Sequence, residues 1–200
     1  RAEATGFMET TRYAEAEAFL HKVADRSPHI TVTSFGYSME GRTLWLAVVG
    51  DTDGSAESVR QSGKTRVYIQ ANIHAGEVEG KEAMLSLLRE IGDGAYRDWR
   101  ESMILLIAPI YNADGNERIA LTNRRFQHGP TGGMGQRPNA QGYDLNRDHI
   151  KLESPEARSL TRMLRDYDPH VLIDLHATNG THHGYHLTYS PPLHPNTVEP

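Results

Sequence analysis

The chain has 200 residues, a net charge of −5, an isoelectric point near 6.1 and 38% hydrophobic residues, enough for one well-buried core and short for two. The acidic balance, with basic pairs no longer than Arg124-Arg125, argues against a nucleic-acid partner. The absence of cysteine removes disulfides and thiolate ligands, and a mean hydropathy of −0.59 with no long apolar run argues against a membrane span.

In chain order, Thr10 to Val23 places Tyr13, Ala16, Phe19, Leu20 and Val23 at spacings of three and four, which predicts an amphipathic helix ending before Ser27-Pro28. Ile30 to Phe35 and Thr43 to Val49 read as antiparallel strands around the turn Ser38-Met39-Glu40-Gly41-Arg42, a hairpin near one sheet edge. Arg66 to Ala71 reads as a buried strand, Val78 to Ile91 as a helix, and Met103 to Ala108 as a second buried strand. A long irregular stretch from Tyr111 to Asp148 is rich in Gly, Asn, Arg and Pro, and its length marks it as lining a site. Helix Pro155 to Arg165 and strand His170 to Leu175 follow. Strands alternating with helices predict a single α/β domain, a three-layer sandwich around a mixed, mostly parallel twisted sheet.

Chemistry concentrates at the ends of two predicted strands. His74 and Glu77 lie in the turn after Arg66 to Ala71, and His176 directly follows His170 to Leu175. A lone His-x-x-Glu is expected about once by chance in a chain of this composition. Position gives it weight, because open α/β sheets hold ligands at the carboxyl ends of their strands, and two parallel strands would bring both sets to one edge. Two imidazoles and a carboxylate form a zinc site with its fourth position open to water, the arrangement of a zinc hydrolase with one Zn²⁺ per chain.

Several segments stand in a characteristic order: Glu40-Gly41-Arg42, His74-Ala75-Gly76-Glu77, Pro109 to Arg118 containing Asn112-Ala113-Asp114-Gly115, Gly142-Tyr143-Asp144-Leu145-Asn146-Arg147-Asp148, and Asp174-Leu175-His176. This ordered set, from about Ser38 to His176, resembles the zinc metallocarboxypeptidases of the carboxypeptidase A-like family, in a bacterial-type form. The resemblance implies the phosphorylase/hydrolase-like carboxypeptidase fold and hydrolysis of the C-terminal peptide bond of peptides or proteins. It assigns Asn146 and Arg147 to the clamp for the substrate's terminal carboxylate, a role suited to the guanidinium fork. It makes Asp144 the carboxylate behind a ligating histidine. An arginine of the same loop would stabilise the oxyanion; Arg137 is the first candidate, with Arg124 and Arg125 as alternatives.

Other polar residues read as scaffold. Asn112 to Gly115 looks like a turn with Gly115 at positive φ, and Glu40-Gly41-Arg42 like a tight turn supporting the site from outside. Glu79 and Glu82 read as solvated helix residues, and His182, His183 and His186 as polar residues of a rim loop rather than ligands of a second metal.

The family's general-base glutamate belongs well beyond the third zinc ligand, where this chain offers only Glu199, poorly placed beside Pro200. The expectation is therefore that residues 1–200 form the N-terminal portion of a longer catalytic domain, with the base outside this chain. The isolated chain would then be inactive, and its exposed sheet edge would be completed by the missing C-terminal segment or a second polypeptide. The start at Arg1 fits removal of an export signal or trimming; a secreted or periplasmic location is favoured over the cytoplasm, which the chain does not decide. Two alternatives stand beside a carboxypeptidase: a zinc amidohydrolase or deacylase of the same fold acting on acyl-amino acids or cell-wall peptides, and an inactive peptide-binding module.

Overall fold

The computed structural model describes residues 1–191. In chain order it forms α1 (Tyr13–Arg26), β1 (Ile30–Tyr37), β2 (Thr43–Val49), α2 (Ala56–Gln61), β3 (Thr65–Ala71), α3 (Glu79–Gly92), α4 (Arg97–Ser102), β4 (Met103–Ala108), α5 (Ala113–Glu117), α6 (Pro155–Tyr167) and β5 (Val171–Leu175). The five strands make one sheet in the order β1-β2-β4-β3-β5. β2 pairs antiparallel with both β1 and β4, whereas β3 pairs parallel with both β4 and β5, so β2 alone runs against the rest.

Strand composition accounts for this arrangement. Ile104 to Ala108 of β4 are all buried, as expected of a central strand covered on both faces. On β3, Tyr68 and Gln70 share one face, where the tyrosine hydroxyl donates to Gln70 Oε1 at 3.2 Å. Ala71 lies on the other, close to Gly80 of α3. Helices α1 and α3 pack together on that second face, and α6 packs on β1 with α2 beside it. These are the three expected layers. The hairpin lies at one edge as predicted, its turn closed by Ser38 N–H to Arg42 C=O at 2.8 Å with Gly41 at φ +81°.

β3 is the switch point of the fold. The connection through α3 leads to β4 on one side of it, and the connection through α6 leads to β5 on the other. A crevice therefore opens at the carboxyl ends of β3 and β5. Ala71 is the register partner of Leu175, so the chain leaves both strands at the same level, one residue before His176.

Three short helices depart from the sequence expectation. α2, α4 and α5 span 6, 6 and 5 residues, too few to show a helical period. α1 begins at Tyr13 rather than Thr10 because Thr10 and Thr11 hold Glu82 instead. Glu82 Oε1 accepts the Thr10 hydroxyl at 2.8 Å and the Thr11 N–H at 2.7 Å, and Oε2 accepts the Thr11 hydroxyl at 2.6 Å. Glu82 is thus an anchor, not the solvated residue expected; Glu79 is exposed as expected. Gly115 is corrected too. It sits inside α5 without positive φ, and its missing side chain makes room for that of Asn112, whose Oδ1 accepts the Gly115 N–H at 3.0 Å and caps the helix.

β5 is the other sheet edge. Val171, Leu172 and Ile173 remain 44%, 48% and 40% exposed, so this side of the strand has no cover among the described residues.

Candidate metal centre

The ligand turn is built by the residues that follow β3. Asn72 adopts φ +66°, turning the chain out of the strand, and Ile73 is fully buried beneath the turn. Asn112, through Nδ2, donates to the carbonyls of Ile73 and Arg137 at 3.2 Å each. The Asn112 to Gly115 segment thus acts as scaffold, joining the His74 turn to the Arg137 loop.

His74, Glu77 and His176 come together: one ligand atom from each lies within 4.8 Å of the others, and among the described residues they are the one grouping able to hold a metal. Glu77 is central. Its Oε1 lies 2.9 Å from His74 Nδ1 and its Oε2 lies 2.8 Å from His176 Nδ1, where it also accepts the Ala177 N–H at 2.9 Å. Burial works to raise the Glu77 carboxyl, but the hydrogen bonds from His176, His74 and Ala177 outweigh it and hold the group well below the usual carboxylate range. An ionised carboxylate facing two Nδ1 atoms has the donor chemistry of a two-histidine, one-glutamate zinc site, so the residues fit the metal.

Each histidine is braced from behind by a second carboxylate. His74 Nε2 lies 3.0 Å from Asp144 Oδ1, and His176 Nε2 lies 2.9 Å from Asp174 Oδ2. With Nε2–H donated to a carboxylate, loss of the Nδ1 proton, which here bridges to Glu77, would leave a lone pair directed at the metal position. The sequence reading placed Asp174 in the last motif but gave it no role. A signal was present, since residues two apart on a strand share a face, which places Asp174 beside His176. The same partners act on protonation: hydrogen bonds to Asp174 and then Glu77 push His176 up to about 10, against the opposing effect of burial.

Asp144 does more than brace His74. Its Oδ2 accepts Arg137 Nε at 3.0 Å and Nη2 at 2.8 Å, leaving Arg137 Nη1 3.5 Å from His74 Nδ1. Burial would raise the Asp144 carboxyl, but the hydrogen bonds from His74 and Arg137 prevail and lower it. Its Oδ1 also accepts the Asn146 N–H at 3.0 Å, capping the short helical turn Leu145–Arg147, which buried Leu145 pins to the core. Asn146 Nδ2 then lies 3.4 Å from His176 Nε2. Arg147 beside it is exposed and has no carboxylate within ion-pair distance among the described residues; Nη1 donates only to the Asn146 carbonyl at 2.9 Å.

The alternative loop arginines separate. Arg124 Nη2 contacts Glu77 Oε1 at 2.5 Å and Asn179 Oδ1 at 3.0 Å, so it stands at the centre, held by Glu77, whereas Arg137 is held by Asp144. Arg125 is exposed and joins none of these contacts. His182, His183 and His186 are exposed and do not enter the metal grouping. Glu199 lies outside the described residues. No helix among the described residues is long and apolar enough to cross a membrane.

Comparison with known proteins bears on the family and the fold. The zinc carboxypeptidase family profile matches residues 16–196, and the chain belongs to that family. It is 28% identical over 181 residues to carboxypeptidase 2 of Trichophyton rubrum, covering 88% of this chain and 30% of the relative. It is 31% identical over 177 residues to carboxypeptidase D of Anas platyrhynchos, covering 82% of this chain and 12% of the relative. The fold resembles a metallo-carboxypeptidase from Burkholderia cenocepacia with a TM-score of 0.66 at 22% identity, covering 86% of this chain and 42% of that one. The chain thus spans about 30% of the length of the Trichophyton relative.

Proposed function

We propose that this chain carries the metal- and carboxylate-binding half of a zinc-dependent metallocarboxypeptidase that removes the C-terminal residue of peptides or proteins. The observation that carries the reading is the convergence of His74, Glu77 and His176 beside a turn that presents Arg147 without a carboxylate partner among the described residues. Zinc held by the triad would supply Lewis acidity and an activated water near neutral pH.

The chain's own residues do the rest. The Arg147 guanidinium, with the Asn146 amide, binds the two oxygens of a terminal carboxylate and so orients the last peptide bond toward the triad. The Arg137 guanidinium, held by Asp144 on the His74 side, donates to the carbonyl oxygen as it gains negative charge. Asp144 and Asp174 keep both histidines in the tautomer that offers Nδ1. The apolar edge of β5 and the share of its relatives that the chain covers support reading residues 1–200 as one portion of a larger catalytic domain, with the general base beyond them.

Matched peptides with free and amidated C-termini, incubated with the protein in zinc and then in a chelator, test it. Zinc-dependent release of the last residue from the free peptide alone supports a carboxypeptidase. Equal cleavage of the amidated peptide sinks it in favour of an amidohydrolase, and tight binding without turnover by the complete domain favours an inactive binding module.

A further inference from the structure

Lys81 is fully buried on the first turn of α3, four residues beyond Glu77, and takes no part in the chemistry proposed above. Its ammonium donates to the Thr11 carbonyl at 2.7 Å and to Asn116 Oδ1 at 2.6 Å, with Glu82 Oε1 3.8 Å away. Asn116 is buried as well, near the end of α5, and through Nδ2 donates to the Thr11 carbonyl at 3.3 Å and to Glu117 Oε1 at 3.0 Å. Burial pushes Lys81 down to about 8, while Glu82 and then Glu117 oppose the fall, so at neutral pH the buried group is still charged.

These contacts close a ring. From Glu77 the chain enters α3 and reaches Lys81, which grips Asn116 of α5. At the other end of α5, Asn112 holds the carbonyls of Ile73 and Arg137, and Ile73 immediately precedes His74. A second stitch joins the same parts, because the Gln136 N–H donates to the Gly115 carbonyl and the Ala75 N–H donates to the Gln136 carbonyl, both at 3.1 Å. The His74-to-Glu77 turn is thereby held at both ends by elements whose spacing the Lys81–Asn116 bond sets. We infer that Lys81 is a positioning residue for the metal centre, fixing the separation of His74 and Glu77 and the approach of Arg137 through α5 rather than by touching any of them.

The inference rests on the triad as metal ligands, and the test separates the two. Zinc affinity is measured by chelator competition on the wild-type protein, on Lys81→Met, on Asn116→Ala, on the double variant, and on Val59→Ala, a buried residue of α2 remote from the ring. The expected result is about tenfold weaker zinc binding for Lys81→Met and for Asn116→Ala, and little further loss in the double variant, since both remove the shared Lys81–Asn116 bond. Val59→Ala should lower the melting temperature yet keep zinc affinity within about twofold. Zinc affinity unchanged in both ring variants, or lowered as much by Val59→Ala, overturns the positioning role alone. No zinc binding by the wild-type protein removes the metal reading and the inference with it. Should Lys81→Met fail to fold, Asn116→Ala, which leaves the lysine in place, decides by itself.

Discussion

Asp144 and His74 are joined by a 3.0 Å contact from Oδ1 to Nε2, and the same oxygen accepts the Asn146 N–H. One carboxylate thus sets the orientation of a proposed metal ligand and the position of the turn that presents Arg147. Its other oxygen holds Arg137, so three functions converge on one side chain.

Replacing Asp144 by Asn keeps the shape and removes the charge. Loss of such a partner behind a ligating histidine typically weakens metal binding about 10–100-fold. The expected outcome for Asp144→Asn is zinc affinity reduced within that range and a slackened Arg137, with the fold retained. Chelator competition and circular dichroism check it, and unchanged affinity would detach Asp144 from the centre.

Metal binding should release a proton. His176 is raised from its ordinary 6.5 to about 10, so in the metal-free protein it is an imidazolium at neutral pH. The sign follows from linkage: a histidine raised on folding stabilises the metal-free fold fully below its unfolded value, and that contribution is lost as pH climbs from about 6.5 toward about 10. A ligand must give up its proton, so zinc affinity should rise about tenfold per pH unit across the neutral range. Calorimetry in two buffers of different ionisation enthalpy should find about one proton released per zinc at pH 7, and His176→Ala should lose the tight site together with the proton release.

Arg147 has a distinct signature. If it grips a terminal carboxylate, Arg147→Ala should cost roughly 1.5–3 kcal/mol, about 10–150-fold in kcat/KM, on peptides with a free C-terminus. Arg147→Lys should recover little, because a point charge does not reproduce two parallel hydrogen bonds. Steady-state kinetics on the catalytically complete protein checks both, and a full recovery by lysine would argue against the clamp.

Gly80 shows how closely α3 packs on the strand ends that carry the candidate ligands. A Cβ there would lie 2.8 Å from Leu175 Cβ and 3.2 Å from Ala71 Cβ, the register pair at the ends of β5 and β3. Gly80→Ala should push α3 off the strand ends, destabilise by about 1–3 kcal/mol and separate Glu77 from His176. Denaturant melts together with zinc titration should then show stability and affinity falling in step. An alanine variant that keeps both would mean the contact yields without cost.

Long, strongly patterned segments were legible in the sequence. Met103 to Ala108 reads as a strand because a central strand must be apolar throughout, and the structure places β4 over those same residues. Helices of 5 or 6 residues were not legible, because they show no period and depend on single caps such as Ser55 and Asn112. Glu82 was misread for a similar reason: local spacing puts it on a helix surface, and only the fold brings Thr10 and Thr11 across to it.

The sequence by itself determined which residues stand at the strand ends as candidate ligands and their order, because strand-end placement and donor chemistry are local properties of His74, Glu77 and His176. It also determined that Asp144, Asn146 and Arg147 travel together in one turn. Tertiary structure decided which atoms meet. The parallel register of β3 with β5 brings His176 to Glu77, Asp144 chooses between His74 and open solvent, and Lys81 finds Asn116 on another element. Distances across the sheet and between loops depend on packing of the whole core, which no local spacing encodes.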